Sequence, residues 1–172
     1  MAPAPPPADE AVEAVEAALW RFCLRVYAAP GAADACLALQ DEAGVDIPLL
    51  LAALWSAVEG PGVLDAAALT ALDAVVADWR DNVVRPLRRI RRWMKASGHA
   101  AHPLRERVKA DELAAERHEL AMIAGWLAGR PSRDARNDDP DTALPAFLTW
   151  TGIADPKAWR EPLLPLTRAL PG

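Results

Sequence analysis

Cysteine and histidine are scarce in this chain, which limits the chemistry that its side chains can support. The 172 residues include two cysteines and three histidines. Neither Cys23 nor Cys36 belongs to a CxxC pair or has a histidine at metal-ligand spacing, so we expect both to be reduced and buried as small apolar residues. The N-terminus lacks a basic region followed by an apolar one, which argues against a secretory signal. We therefore expect a cytoplasmic protein.

Motifs that mark an enzyme are also missing. The sequence has no glycine-rich phosphate loop and no serine or cysteine in a nucleophile-elbow context. A net charge of −5 argues against a nucleic-acid partner, because domains that bind nucleic acid are normally basic. The longest uncharged run near the predicted core, Ile47–Val58, is too short to cross a bilayer, so we expect no transmembrane segment.

Apolar residues recur at helical spacing along most of the chain, and strand-like alternation is absent from the sequence. This pattern predicts an all-α domain over residues 9–128, a compact bundle of about five helices. We expect these helices near residues 9–27, 32–43, 47–58, 66–96 and 104–128. The third is apolar on nearly every side, so it should be the buried central helix, with Asp46 as its N-cap. Residues 1–8, rich in alanine and proline, are expected to form a disordered tail.

The fourth predicted helix is long and contains a proline. Its apolar residues keep one phase from Leu69 to Met94 when each residue turns the helix by about 100°, which favours a single helix capped by Asp65. Pro86 lacks an amide proton and crowds the preceding turn, so we expect a kink or break near residues 82–86.

The composition changes after residue 128. Seven of the sixteen prolines lie there, too many for long helices. We expect residues 132–141 to be an exposed linker and residues 142–151 and 156–160 to form single turns. The aromatic side chains of this Pro-rich segment, residues 129–172, are costly to leave in water, so the segment should pack across the bundle at these anchors. The anchors are Phe147, Trp150 and Trp159.

Positive charge is concentrated in the second half of the fourth helix. Residues 79–95 carry seven basic residues and one acidic residue, a net charge of +6 against −11 for the rest of the chain. A uniform helical wheel places these basic residues opposite an inner stripe that includes Ile90 and Trp93, and leaves Val84 as the one misplaced apolar residue. We interpret the basic face as a candidate surface for an acidic protein partner. Its residues are Arg85, Arg88, Arg89, Arg92 and Lys95.

Acidic residues on the last helix point to a competing interpretation, in which the basic residues are paired inside the bundle. Glu112, Glu116 and Glu119 are spaced four and three apart, so they share one face, between two apolar groups. Charges in that position need partners. The expected partners lie on the fourth helix or on the same helix: Arg88, Arg91, Lys95, Arg105 and Lys109.

The alternative function is a carboxylate-based metal-binding protein or enzyme. It would use the acidic cluster of the second and fifth predicted helices: Asp41, Glu42, Glu112, Glu116 and Glu119. A di-iron bundle needs Glu-x-x-His on two helices, whereas His118 here is two residues after Glu116 and faces elsewhere. We therefore assign no metal ligands, no cofactor and no catalytic residues, and favour a non-enzymatic protein.

Three separate runs of the sequence resemble one known family. They are ACLALQDEAGVDIPLLLAALW from residue 35, WRDNVVRPLRRIRRWMK from residue 79 and RVKADELAAER from residue 107. Together they are similar to the proteobacterial proteins catalogued as domain of unknown function 2390, over about residues 19–123. The resemblance implies a small helical cytoplasmic protein and brings no activity, cofactor or site residue. Our leading interpretation is thus an interaction or regulatory protein that docks an acidic partner, with the oligomeric state left open.

Overall fold

The computed structural model describes residues 9–131, 140–153, 155, 159 and 163–170. These residues form helices joined by turns and loops, without any strand, which confirms the predicted all-α class. In chain order the elements are α1 (Asp9–Ala28), α2 (Ala32–Glu42), α3 (Ile47–Val58), α4 (Ala66–Trp79), a π-helical segment (Arg80–Val84), α5 (Arg85–Ala96), α6 (Pro103–Ala128), a 3-10 helix (Pro140–Thr142), α7 (Ala143–Trp150) and α8 (Leu164–Ala169). The predicted tail and nearly all of the predicted linker lie outside the described residues.

The central helix is α3, as its apolar composition predicts. It packs against α1, α2, α4, α6 and α7, and its residues 47–56 are all buried. Leu50 and Leu54 have no exposed surface, and Leu51 is 2 % exposed. The Asp46 carboxylate caps the helix by accepting a hydrogen bond from the Leu49 amide at 3.2 Å. This cap fixes where the loop after α2 turns into the core.

The longest helix, α6, holds the bundle together from one side. It packs against α1, α3, α4, the π-helical segment and α5. His102 caps its N-terminus, since its Nδ1 accepts a hydrogen bond from the Leu104 amide at 3.1 Å. At the end of α4, the Trp79 indole donates to the Ala115 carbonyl at 2.9 Å. That contact anchors the chain to α6 immediately before the π-helical segment begins.

The two cysteines lie in the core where α1 meets α2. Cys23 and Cys36 are both buried and free, as the sequence predicts. Burial raises the pKa of the Cys23 thiol to about 12 and that of Cys36 to about 11. A thiolate is the reactive form of cysteine, so both residues act here as small apolar side chains.

The proline-rich segment forms more helix than expected. Residues 142–151 were predicted to make a single turn, whereas α7 is eight residues long and packs on α3 and α4. The second helix of this segment, α8, was not predicted. It packs on α1 and α2. Pro145 and Pro165 lie within the first three residues of α7 and α8, where an amide needs no intrahelical acceptor. Most of the turn predicted at 156–160 lies outside the described residues.

The fourth predicted helix is continuous, and its irregularity is a π-helical segment. The backbone stays in the right-handed helical region at both junctions, with φ −64° and ψ −49° at Trp79 and φ −61° and ψ −41° at Arg85. The Arg85 amide donates to the carbonyl of Arg80, five residues earlier. Since Pro86 has no amide proton to donate to Asn82, the wider turn costs the chain no α-helical hydrogen bond at that position. The irregularity predicted at this proline therefore takes the form of a π-helical turn, without a break in the helix.

This wider turn rotates α5 relative to a uniform helical wheel. A π-helical turn holds one residue more than an α-helical turn, so every later side chain shifts around the axis. Val84 is accordingly buried at 1 % exposure, whereas Ile90 is 46 % exposed and Trp93 is 60 % exposed. The predicted inner stripe was wrong for these three residues, because the wheel assumed a constant turn through the proline.

Candidate functional site

The outward side of α5 carries both basic and apolar side chains. Arg85, Arg89 and Trp93 follow one another at four-residue intervals, so they form a column along the exposed side of the helix. Ile90 and Arg92 flank this column and are also exposed. We call these five residues the α5 outer face. It combines basic side chains with two large apolar ones, whereas the sequence predicted an entirely basic surface.

Two of the three arginines on the α5 outer face have acidic neighbours. Arg85 Nη1 lies 2.7 Å from Asp81 Oδ1, one turn earlier in the same helix. Arg92 forms an ion pair with Asp41 at the end of α2. Arg89 is exposed, and the described part of the chain supplies no ion pair for it. Because exposed ion pairs are individually worth about 0–1 kcal/mol, all three guanidinium groups remain open to another partner.

Arg88 belongs to the interior of the bundle, so its assignment to the basic face was wrong. Its side chain is 14 % exposed, and Nε donates to Glu112 Oε1 at 3.1 Å. Its Nη2 donates to Glu116. Arg91 holds Glu112 in a fork, with Nη2 3.0 Å from Oε1 and Nε bound to Oε2. Lys95 is exposed near the end of α5 and makes no ion pair with a described residue.

Glu112 and Glu116 thus find two of the partners that the pairing interpretation expects. Burial acts to raise the pKa of Glu112, but hydrogen bonds from Arg91 and Arg88 outweigh it and hold the pKa below its ordinary value. For Glu116, burial outweighs the attraction of Arg88 and raises the pKa. The three-residue cluster of Glu112 with the two arginines is therefore charged, and it joins α5 to α6.

Glu119 does not join this cluster, although the sequence places it on the same face. It has no exposed surface, and neither carboxylate oxygen has a hydrogen-bond partner among the described residues. Burial, with the nearby carboxylate of Asp46, raises the pKa of Glu119 to about 9. At neutral pH the residue is therefore protonated and can donate a hydrogen bond to Asp46. A buried acid held neutral is a common mark of a functional site.

A second cluster surrounds Arg80 at the start of the π-helical segment. Its Nη1 donates to Asp46 Oδ2 at 3.1 Å and to Asp73 Oδ1 at 2.5 Å, and its side chain is 12 % exposed. Nε lies 3.4 Å from Asp81 Oδ1. The sequence interpretation missed this cluster, since it treated Asp46 only as a cap and did not single out Asp73. The seven-residue spacing from Asp73 to Arg80, two helical turns, was the available signal.

A small cavity and a larger open cleft adjoin the Arg80 cluster. The cavity, of about 10 Å³, is lined by Asp46, Arg80 and Glu119, among others, and is large enough for about one water molecule. The cleft, of about 180 Å³, shares Asp46 and Arg80 with the cavity and extends across α4 to Phe147 and Trp150 of α7. Polar side chains from the α2–α3 loop, α4, the π-helical segment and α6 thus meet beside Arg80.

Residues of the alternative metal site are distributed over several contacts. Asp41 pairs with Arg92, and Glu112 pairs with two arginines, whereas Glu42 is exposed at the end of α2. The described residues contain no group of three or more His, Cys, Asp or Glu placed to hold a metal ion. The acidic residues predicted as one cluster therefore separate: Asp41 lies in a surface pair, Glu42 is exposed, Glu112 and Glu116 lie at the α5–α6 interface, and Glu119 is buried beside Asp46.

Within the described residues, no single helix has the length and apolar character needed to cross a membrane, and α1 and α2 meet those criteria only as a pair bent by 100°. No curated protein and no solved structure matches the sequence. A model of the family described as protein of unknown function (DUF2390) matches residues 18–123, more than half of the chain and nearly the range of the resemblance noted above. The chain belongs to the DUF2390 family.

Proposed function

We propose that this protein acts in the cytoplasm as a non-enzymatic interaction or regulatory protein, and that the α5 outer face docks an acidic protein partner. The observation that carries this proposal is the exposure of Trp93, at 60 %, beside Arg89, for which no ion pair exists within the described ranges. Trp and Arg are the residue types most enriched among the few side chains that supply most of the energy of protein interfaces.

The chemistry of the face favours a partner with both acidic and apolar groups. Arg85, Arg89 and Arg92 offer guanidinium groups that bind carboxylates in a forked geometry. Trp93 and Ile90 lie beside them and would release water from apolar surface on docking. The arginines would speed association and select for negative charge, and the apolar pair would supply affinity.

The surroundings favour a narrow partner over a broad anionic surface such as a membrane. Asp41 and Asp81 flank the face, with side chains 38 % and 49 % exposed. Outside residues 79–95 the chain sums to −11. A flat anionic surface would meet these carboxylates as well as the arginines. An acidic segment of a protein partner can contact Arg89 and Trp93 without approaching Asp41 or Asp81.

Two single substitutions test the proposal, each with a matched control. Arg89→Glu reverses the charge at the centre of the face, and Arg107→Glu makes the same change at an exposed arginine of α6. Trp93→Ala removes the exposed indole, and Leu113→Ala truncates a side chain of α6 that is 57 % exposed. Each variant serves as bait for quantitative recovery from the native host, and each recovered protein is then tested in purified form against all four variants.

We expect one partner with an acidic segment to bind the wild type and both α6 controls, with affinity that falls as salt rises. Arg89→Glu and Trp93→Ala should lose that binding while keeping the wild-type unfolding midpoint. Replacing by lysine the one acidic residue of the partner that contacts Arg89 should restore binding to Arg89→Glu. Equal binding by all variants would refute the proposal, as would binding to vesicles of anionic phospholipid in place of a protein.

A further inference from the structure

We propose that the cleft beside Arg80 binds a small zwitterionic molecule of the α-amino acid type. The cleft lies between the α2–α3 loop, α4, the start of α5 and α7, and it has a volume of about 180 Å³. The cleft shares Arg85 with the α5 outer face but is not lined by Arg89 or Trp93, whose substitutions test the docking proposal, so either proposal can fail without the other.

Three independent features coincide at this cleft. The π-helical segment begins at Arg80, and such segments occur frequently at functional sites. Directly behind Arg80 lies Glu119, which is fully buried and whose protonated carboxyl can donate to Asp46 in the wall of the cleft. A buried acid held neutral is a common mark of a functional site. The cleft shares its inner wall, at Asp46 and Arg80, with the cavity that Glu119 lines.

The charges that line the cleft are balanced. Two guanidinium groups, of Arg80 and Arg85, face two carboxylates, of Asp46 and Asp73. Glu119 lies behind this wall and adds no negative charge at neutral pH, because its pKa is about 9. A ligand with a single charge would be repelled by the lining groups that carry the same charge. A molecule that carries one positive and one negative group satisfies both.

Each charged end of such a ligand has a group available to it. Arg85 contributes a side chain that is 52 % exposed and that uses Nη1 for Asp81, so its other N–H groups can bind a carboxylate. Asp73 accepts from Arg80 through Oδ1, and no donor within the described residues reaches Oδ2. That oxygen can accept a hydrogen bond from an ammonium group. Arg80 holds Asp73 in position for this role.

An apolar wall completes the cleft. It is formed by the partly exposed Trp150, backed by the buried Leu49 and Phe147, and the two aromatic ring centroids lie 5.5 Å apart. The Trp150 indole is fixed by a hydrogen bond from Nε1 to Thr70 Oγ1 at 3.0 Å. The volume is below the ~300–1,000 Å³ of pockets for drug-sized ligands. The size and the wall therefore fit an amino acid with a modest apolar side chain.

The test measures binding of the twenty standard L-amino acids to the full chain by saturation-transfer NMR, followed by titration calorimetry. The tightest ligand is then compared with its decarboxylated amine and its deaminated acid. Loss of one charge-assisted hydrogen bond should weaken binding about ten- to hundredfold, so we expect both analogues to bind at least about tenfold more weakly. No binding by any amino acid at millimolar concentration would overturn the proposal, as would equal binding by an analogue.

Substitutions assign the two ends of the ligand. Arg85→Gln should weaken binding of the amino acid but not of its amine analogue. Asp73→Asn should weaken binding of the amino acid but not of its acid analogue. Arg89→Gln, one turn further along α5 and outside the cleft, is the control and should bind as the wild type does. Since Arg85 is half exposed, Arg85→Gln should fold normally even if Asp73→Asn is unstable. If Arg85→Gln binds the amino acid with wild-type affinity, the assignment of Arg85 to the carboxylate end is refuted.

Discussion

Glu119 should make the stability of this protein fall as pH rises, and Glu119→Gln should remove that dependence. The carboxyl has no exposed surface and a pKa raised from 4.5 to about 9. Burial is the main cause, Asp46 and Glu116 add to it, and Arg80 opposes it. Between these two pKa values the folded protein keeps a proton that the unfolded chain has released. The stability contributed by this proton is complete below about pH 4.5 and is lost as pH rises toward 9.

The size of the effect follows from proton linkage. One extra proton bound by the folded state lowers the free energy of unfolding by about 1.4 kcal/mol for each unit rise in pH. From pH 6 to pH 8 the wild type should therefore lose about 3 kcal/mol relative to Glu119→Gln. Glutamine keeps an N–H donor for Asp46 and has no proton to release in this range. The free energy of unfolding of the variant should thus rise steadily relative to that of the wild type as the pH increases.

Urea unfolding of both proteins at pH 6, 7 and 8 measures this difference directly. All other side chains are common to both proteins, so their contributions cancel in the comparison. Glu106→Gln is the matched control, because Glu106 lies on the same helix with a side chain that is 62 % exposed. Its difference from the wild type should not vary with pH. If the difference for Glu119→Gln is also constant from pH 6 to pH 8, the carboxyl is ionised in the fold and our account of it is wrong.

Three further predictions concern packing and pairing, each measured by equilibrium denaturation. Leu51→Ala should cost about 2–5 kcal/mol, the range for truncating a core leucine, and an unchanged midpoint would show that α3 is not the central helix. Val84→Ala should cost about 1–3 kcal/mol and Ile90→Ala less than about 0.5 kcal/mol, whereas a uniform helix through the proline requires the reverse order. Arg88→Ala should cost about 3–5 kcal/mol, because it removes one of the two partners of a buried carboxylate, while Arg89→Ala should stay within about 0.5 kcal/mol. Similar losses for the two arginine variants would contradict the inward orientation of Arg88.

Local rules predicted the helices and the core of this protein. The apolar composition of Ile47–Val58 specifies a buried helix because no polar face exists to turn toward water. Asp46 and Asp65 mark the starts of α3 and α4 because a short carboxylate side chain can accept from the free amides of a first turn, as both do. These outcomes depend on neighbours within a few residues, so the sequence suffices to determine them.

The tertiary structure decided which charged residues meet. The rotation of α5 follows from the choice of a π-helical turn over a break at Pro86, and a helical wheel has no means to represent that choice. It turns Arg88 inward and Trp93 outward, which divides the predicted basic face in two. Arg80 reaches Asp46, 34 residues away, only because α3 and the π-helical segment both pack against α6. Charge pairing between helices depends on this packing, so the sequence identified the charged residues but not the clusters that they form.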